Sequence, residues 1–176
     1  MSPTAEKTKE SMGVDPFERN WMIFSIGMLV VFFTLVTVAG FALGFQVPGV
    51  ETKVDPRTVT VDPASPFSEP GLRQVSEGNY EAYVVARTFS YEPREIEVPV
   101  GSKVTIYVTS PDVQHGFKVQ DTNINMQIVP GQVSKLEYTF DRVGEFPYIC
   151  TEFCGIGHAA MFGVVKVVQP GEGGDQ

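Results

Sequence analysis

The chain has 176 residues, with 13 Lys and Arg against 21 Asp and Glu, two Cys and two His. That length holds one ordinary domain plus an accessory segment rather than two large domains, and a formal net charge of -8 argues against nucleic acid as a partner. With 43% hydrophobic and 19% charged residues the chain is not disordered overall, and two cysteines permit one bridge at most, which excludes a disulfide framework.

Residues 1–20 form an N-terminal segment. From Asn20 to Val50 no charged residue occurs, and the apolar heart of that stretch, 21–45, reads WMIFSIGMLVVFFTLVTVAGFALGF. As a helix it is about 37 Å long, enough to cross a hydrocarbon layer of roughly 30 Å with some tilt. Trp21 and Phe45 suit the two interfaces. A buried core helix fits poorly, because the rest of the chain reads as strands. A cleaved signal peptide fits poorly too, because its apolar region is normally about 7–15 residues and begins earlier. The expectation is one retained transmembrane helix over 21–45. Gly27, Gly40, Gly44, Thr34 and Thr37 suit a face packed on other helices and equally suit an ordinary membrane helix. Lys7, Lys9 and Arg19 before the helix, against Lys53 and Arg57 after it, do not settle its orientation.

Residues 46–79 are a Pro-rich connector containing Pro48, Pro56, Pro63, Pro66 and Pro70. Such a stretch favours extended, irregular chain, either standing the next domain off the membrane or lying along a partner. Residues 80–168 read as β structure. Short β-branched and aromatic runs occupy 80–87, 94–100, 103–110, 115–120, 124–129, 133–140, 144–150 and 162–168. Several alternate apolar and polar residues, as in Lys103-Val104-Thr105-Ile106-Tyr107-Val108. Gly, Pro, Ser and Asp clusters at Gly101, Pro111, Gly131 and Gly144 separate them. Such strands predict an all-β, two-sheet Greek-key sandwich. Residues 169–176 are a polar tail, expected to be loose.

The chemistry-bearing residues gather in the last loop, Cys150-Thr151-Glu152-Phe153-Cys154-Gly155-Ile156-Gly157-His158-Ala159-Ala160-Met161. The other histidine, His115, precedes a predicted strand and can reach the same end of the sandwich. Two thiolates, two imidazoles and a thioether form a soft donor set that favours copper. A Cys150–Cys154 disulfide would leave the other residues without a role. A zinc site of two Cys and two His would close a tetrahedron but leave Met161 as core filler.

This loop resembles the dinuclear copper (CuA) motif C-x-E-x-C-x-x-x-H-x-x-M of cytochrome c oxidase subunit II. The upstream Ser110-Pro111-Asp112-Val113-Gln114-His115-Gly116-Phe117 resembles the segment that carries the family's first histidine ligand. The likeness extends to the whole chain and is nearest to the one-helix subunit II of B-family heme–copper oxidases, through the TNIN and MFG stretches as well. It implies a cupredoxin-like domain over 80–168 and a mixed-valence pair of copper ions. Cys150 and Cys154 would bridge both ions, His115 and His158 would each bind one, and Met161 and the Glu152 carbonyl would be weak ligands. Asp112 is a candidate for orienting a ligand or contacting subunit I, and equally suits a solvated turn. The implied function is to accept an electron from cytochrome c or a similar donor and pass it to heme in subunit I. That partner would hold heme and further copper and reduce oxygen. The copper domain would then face the periplasmic or extracellular side, with the N-terminus cytoplasmic. From Gln46 onward 10 basic and 17 acidic residues leave a net of -7, enough to steer a basic donor, and Phe89 with Tyr91 is a candidate apolar patch. Two rivals share parts of the pattern. A dicopper nitric oxide reductase would use the same motif. A thioredoxin-like copper chaperone pairs C-x-x-x-C with a distant His, but there the cysteines open a helix and the His follows them.

Overall fold

A computed structural model describes residues 13–44 and 49–170. Residues 1–12, 45–48 and the tail from 171 onward, with the expectations attached to them, lie outside the described residues. The chain divides into two compact units, Met1–Phe45 and Gln46–Gln176.

The first unit is one helix, α1 (Pro16–Leu43). It starts before the apolar run because the preceding residues are good starters. Asp15 caps it, accepting from the Phe17 N–H at 2.8 Å, and Pro16 occupies the first turn, where its missing N–H costs nothing. Gly44 ends it, its N–H bonding back to the Gly40 carbonyl. The stretch Pro16–Ala42 contains an 18-residue window with a mean hydropathy of 2.5 and meets the length and composition of a membrane span. Thr34 returns its hydroxyl to the Val30 carbonyl at 2.8 Å, which satisfies a polar group that hydrocarbon cannot.

The second unit is a two-sheet β-sandwich of cupredoxin type. Its strands are β1 (Gly49–Lys53), β2 (Gly71–Ser76), β3 (Asn79–Arg87), β4 (Ser90–Glu92), β5 (Glu95–Pro99), β6 (Lys103–Thr109), β7 (His115–Val119), β8 (Asn125–Ile128), β9 (Gln132–Thr139), β10 (Gly144–Ile149) and β11 (Phe162–Val168). One sheet has the order β1-β9-β6-β3-β2, with β4 paired to β3; the other runs β5-β11-β10-β7-β8. The β3–β6 and β5–β11 pairs are parallel, so their connections cross between sheets instead of turning back as hairpins.

Alternation along the strands builds the core. Ala82, Val84 and Ala86 of β3 and Val104, Ile106 and Val108 of β6 face inward from the first sheet. They meet Ile96 and Val98 of β5, Phe117 and Val119 of β7, Phe146 and Tyr148 of β10, and Val165 and Val167 of β11. Tyr91, Phe117 and Tyr148 pack ring against ring, with centroids 4.9 to 5.6 Å apart.

The Pro-rich stretch does more than space two parts. It supplies β1 and β2 to the first sheet. Between them a turn-rich segment lays Val59 and Phe67 over Val85 and Val133, on the face turned away from the main core. That face needs cover because β3, β6 and β9 also carry apolar groups on their outward positions, including Tyr83 and Tyr107.

Phe140 is 1% exposed and sits just beyond the end of β9, against Phe146 and Tyr138. Phe140→Ala should lower the unfolding free energy by about 3–5 kcal/mol, read by denaturant melts of the detergent-solubilised chain. The thiol chemistry at the other end of β10 should be unchanged.

Candidate metal centre

Three strand ends create the site. β10 and β11 pair antiparallel up to Ile149 opposite Phe162. The Cys150 N–H then reaches the Met161 carbonyl at 3.2 Å, so the loop from 150 to 161 leaves and re-enters the sheet at one point. β7 pairs on the other side of β10, with Ile149 opposite Lys118. Continuing that register brings the start of β7 beside the start of the loop. Contact is so close there that a Cβ on Gly116 would stand 2.0 Å from the Thr151 hydroxyl oxygen and 2.7 Å from its amide nitrogen. Only glycine lets His115 approach the cysteines.

The loop folds back through a 3-10 turn, His158–Ala160. Gly155 takes a φ of 128°, open to glycine. A Cβ on Gly157 would lie 2.4 Å from the Phe89 ring, so this side chain of the β3–β4 hairpin is seated directly on the loop backbone.

The six residues singled out in the sequence come together. The Cys150 and Cys154 sulfurs are 3.9 Å apart, both thiols are free, and the separation is far beyond a disulfide bond of about 2.05 Å. His115 Nδ1 lies 3.9 Å from Cys150 Sγ. His158 Nδ1 lies 3.7 Å and Met161 Sδ 3.7 Å from Cys154 Sγ. The Glu152 carbonyl oxygen is 3.1 Å from Cys150 Sγ, while its side chain points into solvent. His115 is 0% and Met161 2% exposed; His158 is half-buried.

Asp112 holds the His115 ring from behind. Its Oδ1 accepts from His115 Nε2 at 2.9 Å, from the Ser110 hydroxyl at 2.9 Å and from the Val113 N–H at 2.6 Å. Burial alone would raise this carboxyl, but bonds from Thr88, His115 and the Thr88 and Val113 amides outweigh it and hold the group well below the usual carboxylate range. With Nε2 committed as donor to a carboxylate, the lone pair of His115 sits on Nδ1, the nitrogen that faces sulfur. Asp112 is therefore more than a solvated turn residue.

Tyr91 departs from expectation. It is 3% exposed and packs inward, donating its hydroxyl to the Gly116 carbonyl; burial, then the nearby Cys150, drives its phenol strongly up. The apolar surface beside the site belongs instead to Phe89, Phe153 and Ile156, of which Phe153 is 81% and Ile156 102% exposed. Thr88 is not visible from spacing: it is 24 positions from its carboxylate partner, and no local motif marks such a pair.

The donor chemistry fits copper. Two thiols, two imidazole Nδ1 atoms, a thioether and a carbonyl converge in a mostly buried site, and thiolate with thioether is a soft combination. Zinc would use the four Cys and His donors and leave Met161 idle.

Comparisons with known proteins give the family. The family described as "Cytochrome C oxidase subunit II, periplasmic domain" matches residues 79–168. A cytochrome c oxidase subunit 2 of Thermus thermophilus is 41% identical over 166 residues, covering 92% of this chain and 98% of that one. A second Thermus thermophilus sequence of the same description is 44% identical over 133 residues, covering 74% and 97%. A chain in the cryo-EM structure of a heme-copper terminal oxidase dimer superposes with a TM-score of 0.70 at 32% identity, covering 86% of this chain and 99% of that one.

Burial, and then the neighbouring Cys150 sulfur, push the Cys154 thiol above its ordinary value of 9.0. The unfolded chain therefore loses this proton first as pH rises, and stability of the metal-free protein should be full below about pH 9 and fall above it. Urea melts across that range check the sign, and Cys154→Ser should flatten the alkaline slope.

Proposed function

The chain belongs to the cytochrome c oxidase subunit II family, and on that premise we propose that it is the electron-accepting subunit of a membrane heme–copper oxidase with a dinuclear copper centre. The observation that carries this reading is the pair of free thiols 3.9 Å apart, with one imidazole Nδ1 beside each. Cys150 and Cys154 would supply the bridging thiolates, His115 and His158 the imidazole donors, and Met161 and the Glu152 carbonyl the weak ones. When bound, two copper ions would supply a one-electron couple whose charge is shared between them.

The residues of this chain do the rest. The β10–β11 ends and the β7 start fix the donors to a rigid frame, which limits how far they move between oxidation states. Burial of His115, Met161 and both cysteines keeps water out and removes solvent reorganisation from the transfer. Asp112 holds the His115 tautomer that leaves Nδ1 free. The rim formed by Phe89, Phe153 and Ile156 offers an apolar landing face directly over the loop. A donor that sheds water there comes close without needing a fixed set of ion pairs. The net of -7 from Gln46 onward adds long-range attraction for a basic donor, which salt would weaken.

In this reading the donor is a reduced cytochrome c or similar protein. The acceptor is heme in subunit I, which would also hold the further copper and carry the oxygen chemistry. Helix α1 anchors the chain in the cell membrane by a single pass. The sandwich stands on the periplasmic or extracellular side, in keeping with the family description, and the N-terminus is cytoplasmic.

The full chain, purified in detergent and supplied with copper, should take up two copper ions per chain by elemental analysis. A colourless zinc-bound protein or a blue one-copper protein would contradict the assignment. Met161→Leu should keep the copper and shift the midpoint potential; complete loss of metal would show that the thioether is more than a weak donor. Ile156→Asp should lower the second-order rate constant for electron transfer from the donor by about tenfold, a loss of roughly 1.4 kcal/mol, without changing copper content or potential.

A further inference from the structure

We propose that Thr88 is a positioning residue of the metal centre, fixing the Asp112 carboxylate that in turn fixes the His115 ring. The inference rests on the copper reading for its purpose, though its geometry stands apart from any metal. Thr88 sits at the tip of the hairpin between β3 and β4. Its backbone N–H donates to Asp112 Oδ2 at 2.6 Å, and its hydroxyl donates to the same oxygen. The other oxygen, Oδ1, takes His115 Nε2, the Ser110 hydroxyl and the Val113 N–H.

The division between the two oxygens is what matters. The terminal torsion of an aspartate is soft and broad, so a carboxylate held by one oxygen still swings. Thr88 holds the second oxygen twice, which stops that rotation and sets the direction from which Oδ1 meets Nε2. Because His115 is wholly buried and its Nδ1 faces Cys150, the ring plane is then set from behind by a residue at the surface.

The same hairpin tip touches the other half of the site. Phe89, next to Thr88, lies against Gly155 and Gly157, the glycines that flank Ile156 just before His158. One short segment therefore bears on the strand that carries His115 and on the loop that carries Cys154 and His158. A valine at position 88 keeps the branched shape and the backbone N–H but loses the hydroxyl; a serine keeps both donors.

The test uses the full chain in detergent, both metal-free and copper-loaded, as the parent, Thr88→Val and Thr88→Ser. In the metal-free protein, solvent exchange of the His115 Nε2 proton, followed by NMR on 15N-histidine-labelled chain, should be about tenfold faster in Thr88→Val, the scale of one hydrogen bond to a charged group. In the loaded protein the midpoint potential should shift with copper content unchanged. Thr88→Ser should restore both. Parent-like exchange and potential in Thr88→Val, or failure of serine to restore what valine changed, overturns the proposal. If valine disrupts folding, seen as loss of the strand circular dichroism, Thr88→Ala against Thr88→Ser decides by the same two readouts. A parent chain that takes up no copper overturns the copper reading alone, and the metal-free exchange still decides the role of Thr88.

Discussion

The centre depends on strand register. Cys150 and Met161 are neighbours because β10 and β11 pair with Ile149 opposite Phe162, and His115 joins them because β7 pairs on the other edge of β10 with Lys118 opposite Ile149. A slip of one residue in either ladder would turn every side chain to the opposite face. It would expose Phe117 and Tyr148 and scatter the sulfur and nitrogen donors at the same time. Core packing and donor placement are therefore one constraint, enforced by the burial of Phe117, Tyr148, Val165 and Val167. The core fixes the strand ends that gather the donors.

That preparation has a thermodynamic side. Two thiols and two imidazoles lie together at 3.7 to 3.9 Å, distances that give weak polar contacts in a region with little water. Burial disfavours the charged thiolate, and with the neighbouring Cys150 sulfur it raises the Cys154 thiol. A cation that binds both sulfurs would replace these weak contacts with strong ones and release the thiol protons. Asp112 is the opposite case. It remains charged because its two oxygens are satisfied by named donors, and it passes that order to His115.

Much of this was legible in the sequence, and the physical reason differs by element. Each strand expected between 80 and 168 has its counterpart from β3 to β11, because alternating burial leaves alternating residues. The clustering of Cys150, Cys154, His158 and Met161 was legible because they fall in one twelve-residue loop and chain connectivity alone keeps them near, while the Glu152 carbonyl came in with the resemblance. His115 lies 35 positions from Cys150 and was brought in because it precedes a predicted strand that can reach the same end of the sandwich, with the resemblance of its segment added to that. The edge strands β1 and β2 were hidden in the Pro-rich stretch, since edge strands tolerate Pro nearby and carry little apolar pattern. The helix begins earlier than the apolar run because a cap, not hydropathy, decides where a helix starts. Tyr91 follows Phe89 by two positions in the sequence, but Phe89 sits in the exposed turn before β4 while Tyr91 lies within β4 and is buried, so nearness along the chain does not make them one surface patch. Thr88 left no trace, since a hydrogen bond across 24 positions has no local signature.

The central claim is that two sulfur atoms join two metal ions into one redox centre. Electron paramagnetic resonance of the copper-loaded full chain tests it most directly. The hyperfine pattern should be that of one unpaired electron shared equally between two copper nuclei, and should collapse to a single-nucleus pattern or vanish in Cys150→Ser. A single-nucleus pattern in the unaltered chain, or the shared pattern surviving the loss of Cys150, would contradict the account.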